Sequence, residues 1–276
     1  MRFLDPRVLG RGLRRWPVLL LLFLSVLRCL PVGAGEVPSA ARTDSLAEAR
    51  VLLVVTSRAT LDDPGLPTGA DPIELLDGFE RFTTAGFAVD LVSPLGGAVP
   101  LESTATLDPH RKTLLEMPTM RRSLAEAGKL SDVSPARYRA VYIVGGHGAL
   151  WDLARDEALG KILLDLARRG GVIGAVGHGV AALLEVKTDE TWLVSDRTVT
   201  GATNAEEAAA GLLPRLPLSI QSTAGTRGAR WNDNGPGKPN VCVSRGIVTG
   251  QNAISAGGVV HFMLQLLEKG AVHSGR

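Results

Sequence analysis

The residues with chemical potential gather at two glycine-rich turns. Ala175-Val176-Gly177-His178-Gly179 joins an apolar run to an apolar helix with almost no loop between them. Such a sharp strand–turn–helix holds its central residue in a strained conformation, usually at positive φ. Where an enzyme places Ser or Cys at that point, the helix N–H groups lower a thiol pKa and stabilise developing negative charge. Here the centre is Gly177, which suits the backbone and brings no nucleophile. The second turn, Gly145-Gly146-His147-Gly148, follows another apolar run and points His147 toward the same region.

Two carboxylates can complete an acid–base set. Glu74 opens a helical stretch, where its charge would also favour the macrodipole. In a dry pocket it would become a carboxylic acid of raised pKa. Glu207 is either a partner for His178 or a solvated carboxylate beside Glu206. Glu74, His147 and His178 are of the right types for a two-histidine, one-carboxylate metal site, but nothing in their spacing demands one, so no metal and no cofactor is expected. Among the remaining candidates, Cys242 sits in a strand pattern and is expected to pack, and His261, on an apolar helix, reads as a core histidine. His110 and His273 read as solvated, Arg121-Arg122 with Glu126 and Lys129 as a solvated helix face, and Trp151 as pocket wall or core.

The elements that position these residues alternate. Val51–Thr56, Phe87–Val92, Ala140–Val144 and Val172–Val176 are short apolar runs, as for strands buried on both faces. Helical patterns cover Ile73–Ala85, Leu153–Arg169, Val180–Leu184 and Ala256–Lys269. Asp108–Gly128 reads as an exposed, partly helical insert, and Val241–Val243 with Ile247–Thr249 as a hairpin around Arg245-Gly246. This alternation predicts one α/β sandwich over residues 49–270, a mostly parallel sheet with helices on both faces. Sites in such sheets lie at the carboxyl ends of the strands, where Ser57–Gly69, Gly145–Gly148 and Gly177–Gly179 fall.

The first 34 residues have the layout of an export signal. Six arginines and one aspartate accompany an uncharged run from Trp16 to Leu27, and Pro31-Val32-Gly33-Ala34 offers small residues for cleavage. That run is twelve residues long, against ~20 for a spanning helix, so the reading is a secreted or periplasmic protein, with an uncleaved membrane anchor as the alternative. Residues 35–48 are polar and small and read as a linker. Without the signal the formal charge of +2 becomes 24 basic against 27 acidic residues. A mildly acidic chain with 4% aromatic residues is a poor candidate for nucleic-acid binding. Cleavage also removes Cys29 and leaves Cys242 unpaired, so no intrachain disulfide forms.

Taken together, these motifs resemble those of the ThiJ/PfpI superfamily, the class I glutamine amidotransferase-like proteins, over about 220 residues. Members carry an A-x-C-H-G elbow where this chain has Ala175–Gly179, and a glycine loop where it has Gly145–Gly148. The chaperone and glyoxalase branch adds T-G-x-x-x-x-E, matched by Thr68-Gly69 and Glu74, and a second Thr-Gly motif, matched by Thr200-Gly201 and Glu207 with Ala202 for Phe. Its T-G-Q-N-P-x-S signature stands as Thr249-Gly250-Gln251-Asn252-Ala253-Ile254-Ser255. The resemblance implies a flavodoxin-like three-layer sandwich. It assigns the nucleophile to position 177, the acid–base carboxylate to Glu74, a dyad to His178 and Glu207, and an oxyanion hole to N–H groups near Gly146 and His178. Gly146, His147, Gly177 and His178 would line the ligand site. The run AVGHGVAAL with TGQNA is most similar to the glutamine amidotransferase-like class 1 domain-containing branch, whose members lack the elbow cysteine.

The glycine at position 177 and the apolar N-terminal run together imply an exported, catalytically degenerate domain that binds a small anionic or carbonyl ligand, or a protein partner. The alternative is a glyoxalase III/deglycase-like or hydrolase-like enzyme acting through Glu74 and His178 without a covalent step. A holdase-like chaperone or homodimeric scaffold is a third expectation, since relatives commonly dimerise. Glutamine amidotransfer itself is not expected, because it needs the missing cysteine and a synthase partner.

Overall fold

β1 (Arg50–Val54) is an interior strand of the main sheet, and its sequence shows why. Val51, Leu52, Leu53 and Val54 are all fully buried. Leu52 and Val54 point into one core layer, Val51 and Leu53 into the other, as strand alternation requires. The computed structural model describes residues 49–62 and 66–273, all within the compact unit Ser39–Arg276. The expected export signal and linker lie outside the described residues.

Six parallel strands and one antiparallel strand form the main sheet, in the order β3-β2-β1-β4-β5-β9-β8. These are β2 (Ala88–Ser93), β3 (Gly128–Lys129), β4 (Tyr138–Ile143), β5 (Val172–Val176), β8 (Val241–Ser244) and β9 (Ile247–Gly250). A separate pair joins β6 (Thr198–Val199) and β7 (Arg230–Trp231). On one face α1 (Pro72–Thr84) and the last helix α9 (Ala256–His273) cover the sheet with Leu75, Phe82, Val259, Val260 and Met263. On the other, α5 (Glu157–Arg168) and α6 (Ala181–Leu184) contribute Leu159, Ile162, Leu163 and Leu183. The doubly covered, mostly parallel sheet is the expected three-layer arrangement.

Register places the site. Val54 pairs with Ile143, Ile143 with Ala175, and Val176 with Gly250. The carboxyl ends of β1, β4, β5 and β9 therefore finish side by side, and the loops after them share one rim. The β8–β9 hairpin turns at Arg245 and Gly246, both at positive φ (50° and 82°), the pairing that a two-residue hairpin turn demands.

Two local expectations change. The insert is partly helical as expected, forming α2 (Pro109–Glu116) and α3 (Pro118–Ala125), but it is not wholly exposed and leads into β3, which pairs with Val92 and Ser93. Met120 is 1% exposed and packs with Leu76 and Leu107, a single anchor on an otherwise polar helix that no periodic stripe announces. The helix expected over Leu153–Arg169 begins later, as α5, because the Asp156 side chain accepts from Leu159 N (2.7 Å) and caps its start; a short α4 (Ala149–Asp152) precedes it. Residues 185–240 also contain α7 (Asn204–Ala209) and α8 (Ile220–Thr226). Among the described residues no helix is long and apolar enough to cross a membrane.

Met120→Ala is expected to cost about 2 kcal/mol, the low end for burying and then deleting such a side chain. Met117→Ala, on a residue 41% exposed, should stay within about 0.5 kcal/mol. Urea denaturation of the two variants beside the parent checks both values.

Candidate functional site

Asp71 starts the construction. Its side chain caps α1 by accepting from Ile73 N (2.8 Å) and Glu74 N (3.0 Å), with Pro72 at the first helical position. That fixes Glu74 in the first turn, where its side chain is 2% exposed. Glu74 Oε2 accepts from Gly145 N at 2.6 Å. Burial, followed by the charge of Asp71, pushes the Glu74 pKa well above the usual carboxylate range, against the opposing pull of the Gly145 N–H.

The loop after β4 is pressed against the segment that precedes α1. Gly146 has φ +96°, and a Cβ there would stand 2.0 Å from Gly69 O, so only glycine fits. Gly148 N donates to Thr68 Oγ1 (3.0 Å), and Asp71 N donates to Gly145 O (3.1 Å). The Thr68-Gly69 motif is thus a docking strip for the glycine loop. It fixes His147, whose backbone N donates to Glu102 Oε1 (2.8 Å) and whose Nδ1 lies 2.9 Å from the same oxygen.

The elbow after β5 is a 3-10 turn, Gly177–Val180, with Gly177 at φ +50°. A Cβ on Gly177 would stand 2.8 Å from Glu74 Oε1. His178 Nε2 lies 2.6 Å from Glu207 Oε1, and His147 Nε2 lies 3.4 Å from Glu207 Oε2. The two imidazole rings are 4.1 Å apart between centroids, tilted by 37°. Glu207 arrives by way of a capping box: Thr203 Oγ1 accepts from Glu206 N while Glu206 Oε2 accepts from Thr203 N, so α7 begins at a fixed point. Glu206 turns away from the histidines and accepts from Gly237 N, Gln251 Nε2 and Asn252 Nδ2.

Ionisation follows from these contacts. Burial would lower the His147 pKa, but its hydrogen bonds to Glu102 and its close pairing with Glu102 and Glu207 outweigh burial and raise it to about 9. Burial would raise Glu207, but the histidines hold it down at about 2. Glu102 and Glu206 are likewise held below the usual range, their hydrogen bonds outweighing burial. A cavity of about 250 Å³ lies over this group, lined by Glu74, Gly146, His147, Gly177, His178 and Glu207 among others. It unites every site residue the sequence singled out.

A family model described as the DJ-1/PfpI family matches residues 66–269. The chain belongs to the DJ-1/PfpI family. It is 32% identical over 186 residues to the human "Glutamine amidotransferase-like class 1 domain-containing protein 1", covering 67% of this chain and 84% of that protein. It is 31% identical over 225 residues to "Glyoxalase 3" of Candida albicans, covering 75% of this chain and 93% of that protein. Among solved structures, the Rapid Encystment Protein 24 KDa of Francisella tularensis superposes with a TM-score of 0.77 at 30% identity, covering 79% of this chain and 99% of that one.

Within this DJ-1/PfpI domain the other candidates disperse. Cys242 is buried in β8 and is not among the residues that line the cavity, and burial raises its thiol pKa. Trp151 packs against the core and donates its Nε1 to Asp62 Oδ2 (2.7 Å), so it does not wall the pocket. His261 is not a core histidine: α9 turns Val259, Val260, Met263 and Leu267 to the sheet and leaves His261 outward beside Gln265. His110 pairs with Glu80 at the surface, and the side chain of His273 lies outside the described residues. Asp71, Glu102 and Glu206 were not singled out by the sequence. Asp71-Pro72 is a legible helix start, and Thr203 with Glu206 a legible capping box, whereas Glu102 gives no signal.

Glu74 titrates with an uncommon sign. Unfolded, it ionises near its ordinary 4.5, while folded it keeps its proton to higher pH. Its contribution to stability is therefore full below that unfolded value and is lost as pH rises through the folded one. Glu74→Gln, which mimics the protonated acid, is expected to match the parent at about pH 4 and to melt higher than the parent at about pH 8. Thermal unfolding at the two pH values checks this.

Proposed function

We propose that this DJ-1/PfpI domain binds a small carbonyl compound reversibly and takes no covalent thiol step. The observation that carries the reading is position 177: the elbow has no side chain, and the Glu74 carboxyl stands within 2.8 Å of where one would begin. A buried carboxylic acid there can donate a hydrogen bond to a carbonyl oxygen. Glu102, Glu206 and Glu207 make the lining acidic, which favours a neutral carbonyl over a carboxylate. Likeness to "Glyoxalase 3" of Candida albicans supports that ligand class. Removing the nucleophile from a covalent mechanism costs on the order of several powers of ten in rate, so the glycine supports a degenerate domain. The arginine-flanked apolar run Trp16–Leu27 supports export as the setting.

A second reading keeps chemistry without a thiol. The 2.6 Å contact of His178 with Glu207 favours it, because it orients an imidazole lining the same cavity as the acid of Glu74.

Methylglyoxal is the probe. Titration calorimetry is expected to register binding that weakens roughly tenfold or more in Glu74→Ala, the loss of about one charge-free hydrogen bond and its packing. Intact-mass spectra should show no adduct on the protein. Turnover abolished by alkylating Cys242 would refute the proposal, and turnover insensitive to alkylation but lost in Glu74→Gln and His178→Ala would select the second reading.

A further inference from the structure

His147, His178 and Glu207 each present one ligand atom to a common point, and these atoms lie within 4.8 Å of one another. The edge from His147 Nε2 to Glu207 Oε2 is 3.4 Å. Two ligands at ~2.0–2.1 Å from a tetrahedral ion stand about 3.3 Å apart, so that edge already has the right length. The buried state of one ligand atom adds to the clustering. Glu207 Oε2 is buried, on a residue 6% exposed, and its contact with His147 Nε2 at 3.4 Å falls short of a well-formed hydrogen bond. A buried carboxylate oxygen left unsatisfied is costly, and a coordinate bond would satisfy it.

The surroundings are those of a ligand set. Glu102 Oε1 holds His147 through its Nδ1 (2.9 Å), which leaves Nε2 to face Glu207, and Glu102 is itself bound by Thr68 Oγ1 (3.3 Å). An imidazole oriented through its far nitrogen by a carboxylate is the usual support of a metal-ligating histidine. Glu74, weighed from sequence as the carboxylate of such a site, is instead occupied by Gly145 N, and Glu207 takes its place. Gly177 adds no side chain to the lining, so a fourth coordination position can open into the cavity.

We propose that His147, His178 and Glu207 bind one divalent transition-metal ion of the zinc class, with Glu102 as the positioning residue behind His147. Two imidazoles and one carboxylate select zinc, cobalt or copper over magnesium and calcium, which take oxygen ligands. Entry of the ion exchanges the 2.6 Å His178–Glu207 hydrogen bond for two coordinate bonds. The inference stands apart from the carbonyl reading, since it is tested with no carbonyl compound present.

The full chain, stripped by chelation and dialysed, is titrated with Zn(II) by calorimetry and with Co(II) by visible absorption. One equivalent is expected to bind with Kd of about 1 µM or tighter, and Co(II) should give the intense bands of four- or five-coordinate cobalt. Glu207→Gln and His147→Ala should each weaken binding about 100-fold, and Glu102→Gln about 10-fold or more while keeping the Co(II) band shape. Circular dichroism establishes that each variant is folded, and the Co(II) spectrum of the parent decides the case where one is not. The double variant His110→Ala, His261→Ala should bind as the parent does. Absence of one-equivalent binding, a weak six-coordinate Co(II) spectrum, or affinity undiminished in folded Glu207→Gln and His147→Ala would overturn the proposal.

Discussion

One hydrogen bond organises the site: Gly145 N to Glu74 Oε2, at 2.6 Å and wholly out of water. It joins the first helix to the loop of the strand that pairs with β1, so it forms only if β1, β4 and β5 end level. Tyr142 tightens the same join by donating its hydroxyl to Glu74 O (3.1 Å). The glycines around it serve this approach. A Cβ on Gly145 would meet Glu74 Oε2 and Val176 O at 2.8 Å each, and one on Gly146 would overlap Gly69 O. The glycine-rich character of both turns is thus the condition for bringing three backbones and one acid within van der Waals reach.

Above that acid the site is a chain of alternating partners. Glu102 holds His147, His147 reaches Glu207, and Glu207 holds His178. Each member is fixed by an element of its own: the bridge of Leu101 to Ala70, the glycine loop, α7 and the elbow. Neighbouring residues in α7 are divided between two tasks. Glu207 faces the histidines, whereas Glu206, about 100° around the helix, is gripped by Gln251 and Asn252 of the Thr-Gly-Gln-Asn motif. That motif supports the wall of the cavity and does not itself supply an acid or base.

Much of this was legible in the sequence, for identifiable reasons. Strands buried on both faces must be continuously apolar, so β1, β4 and β5 announce themselves, and their carboxyl ends announce the rim. Positive-φ turns need glycine, so Gly146 and Gly177 mark the site. Other features lack any local sign. Glu102 contacts His147 across 45 residues and sits in an irregular segment with no period to read. β6 and β7, at two residues each, are too short for alternation to show. Met120 is one buried residue on a helix too short to carry a stripe. His261 misleads because α9 is apolar over more than its buried face, so composition alone does not say which way a residue points.

Position 177 and Glu74 are a coupled pair. With glycine at the elbow, φ +50° carries little strain, and Glu74 keeps the rotamer that satisfies Gly145 N. Any side chain at 177 meets two obstacles together. A non-glycine residue at that φ is strained by its own Cβ, and the same Cβ arrives 2.8 Å from Glu74 Oε1. Relief requires Glu74 to rotate, which weakens its bond to Gly145 N and loosens the join between α1 and the glycine loop. The present seat of the acid and the absence of a side chain at the elbow therefore stabilise one another. A thiol introduced at 177 would demand that the carboxyl move as well, whereas Glu74, the two histidines and Glu207 are held as they stand.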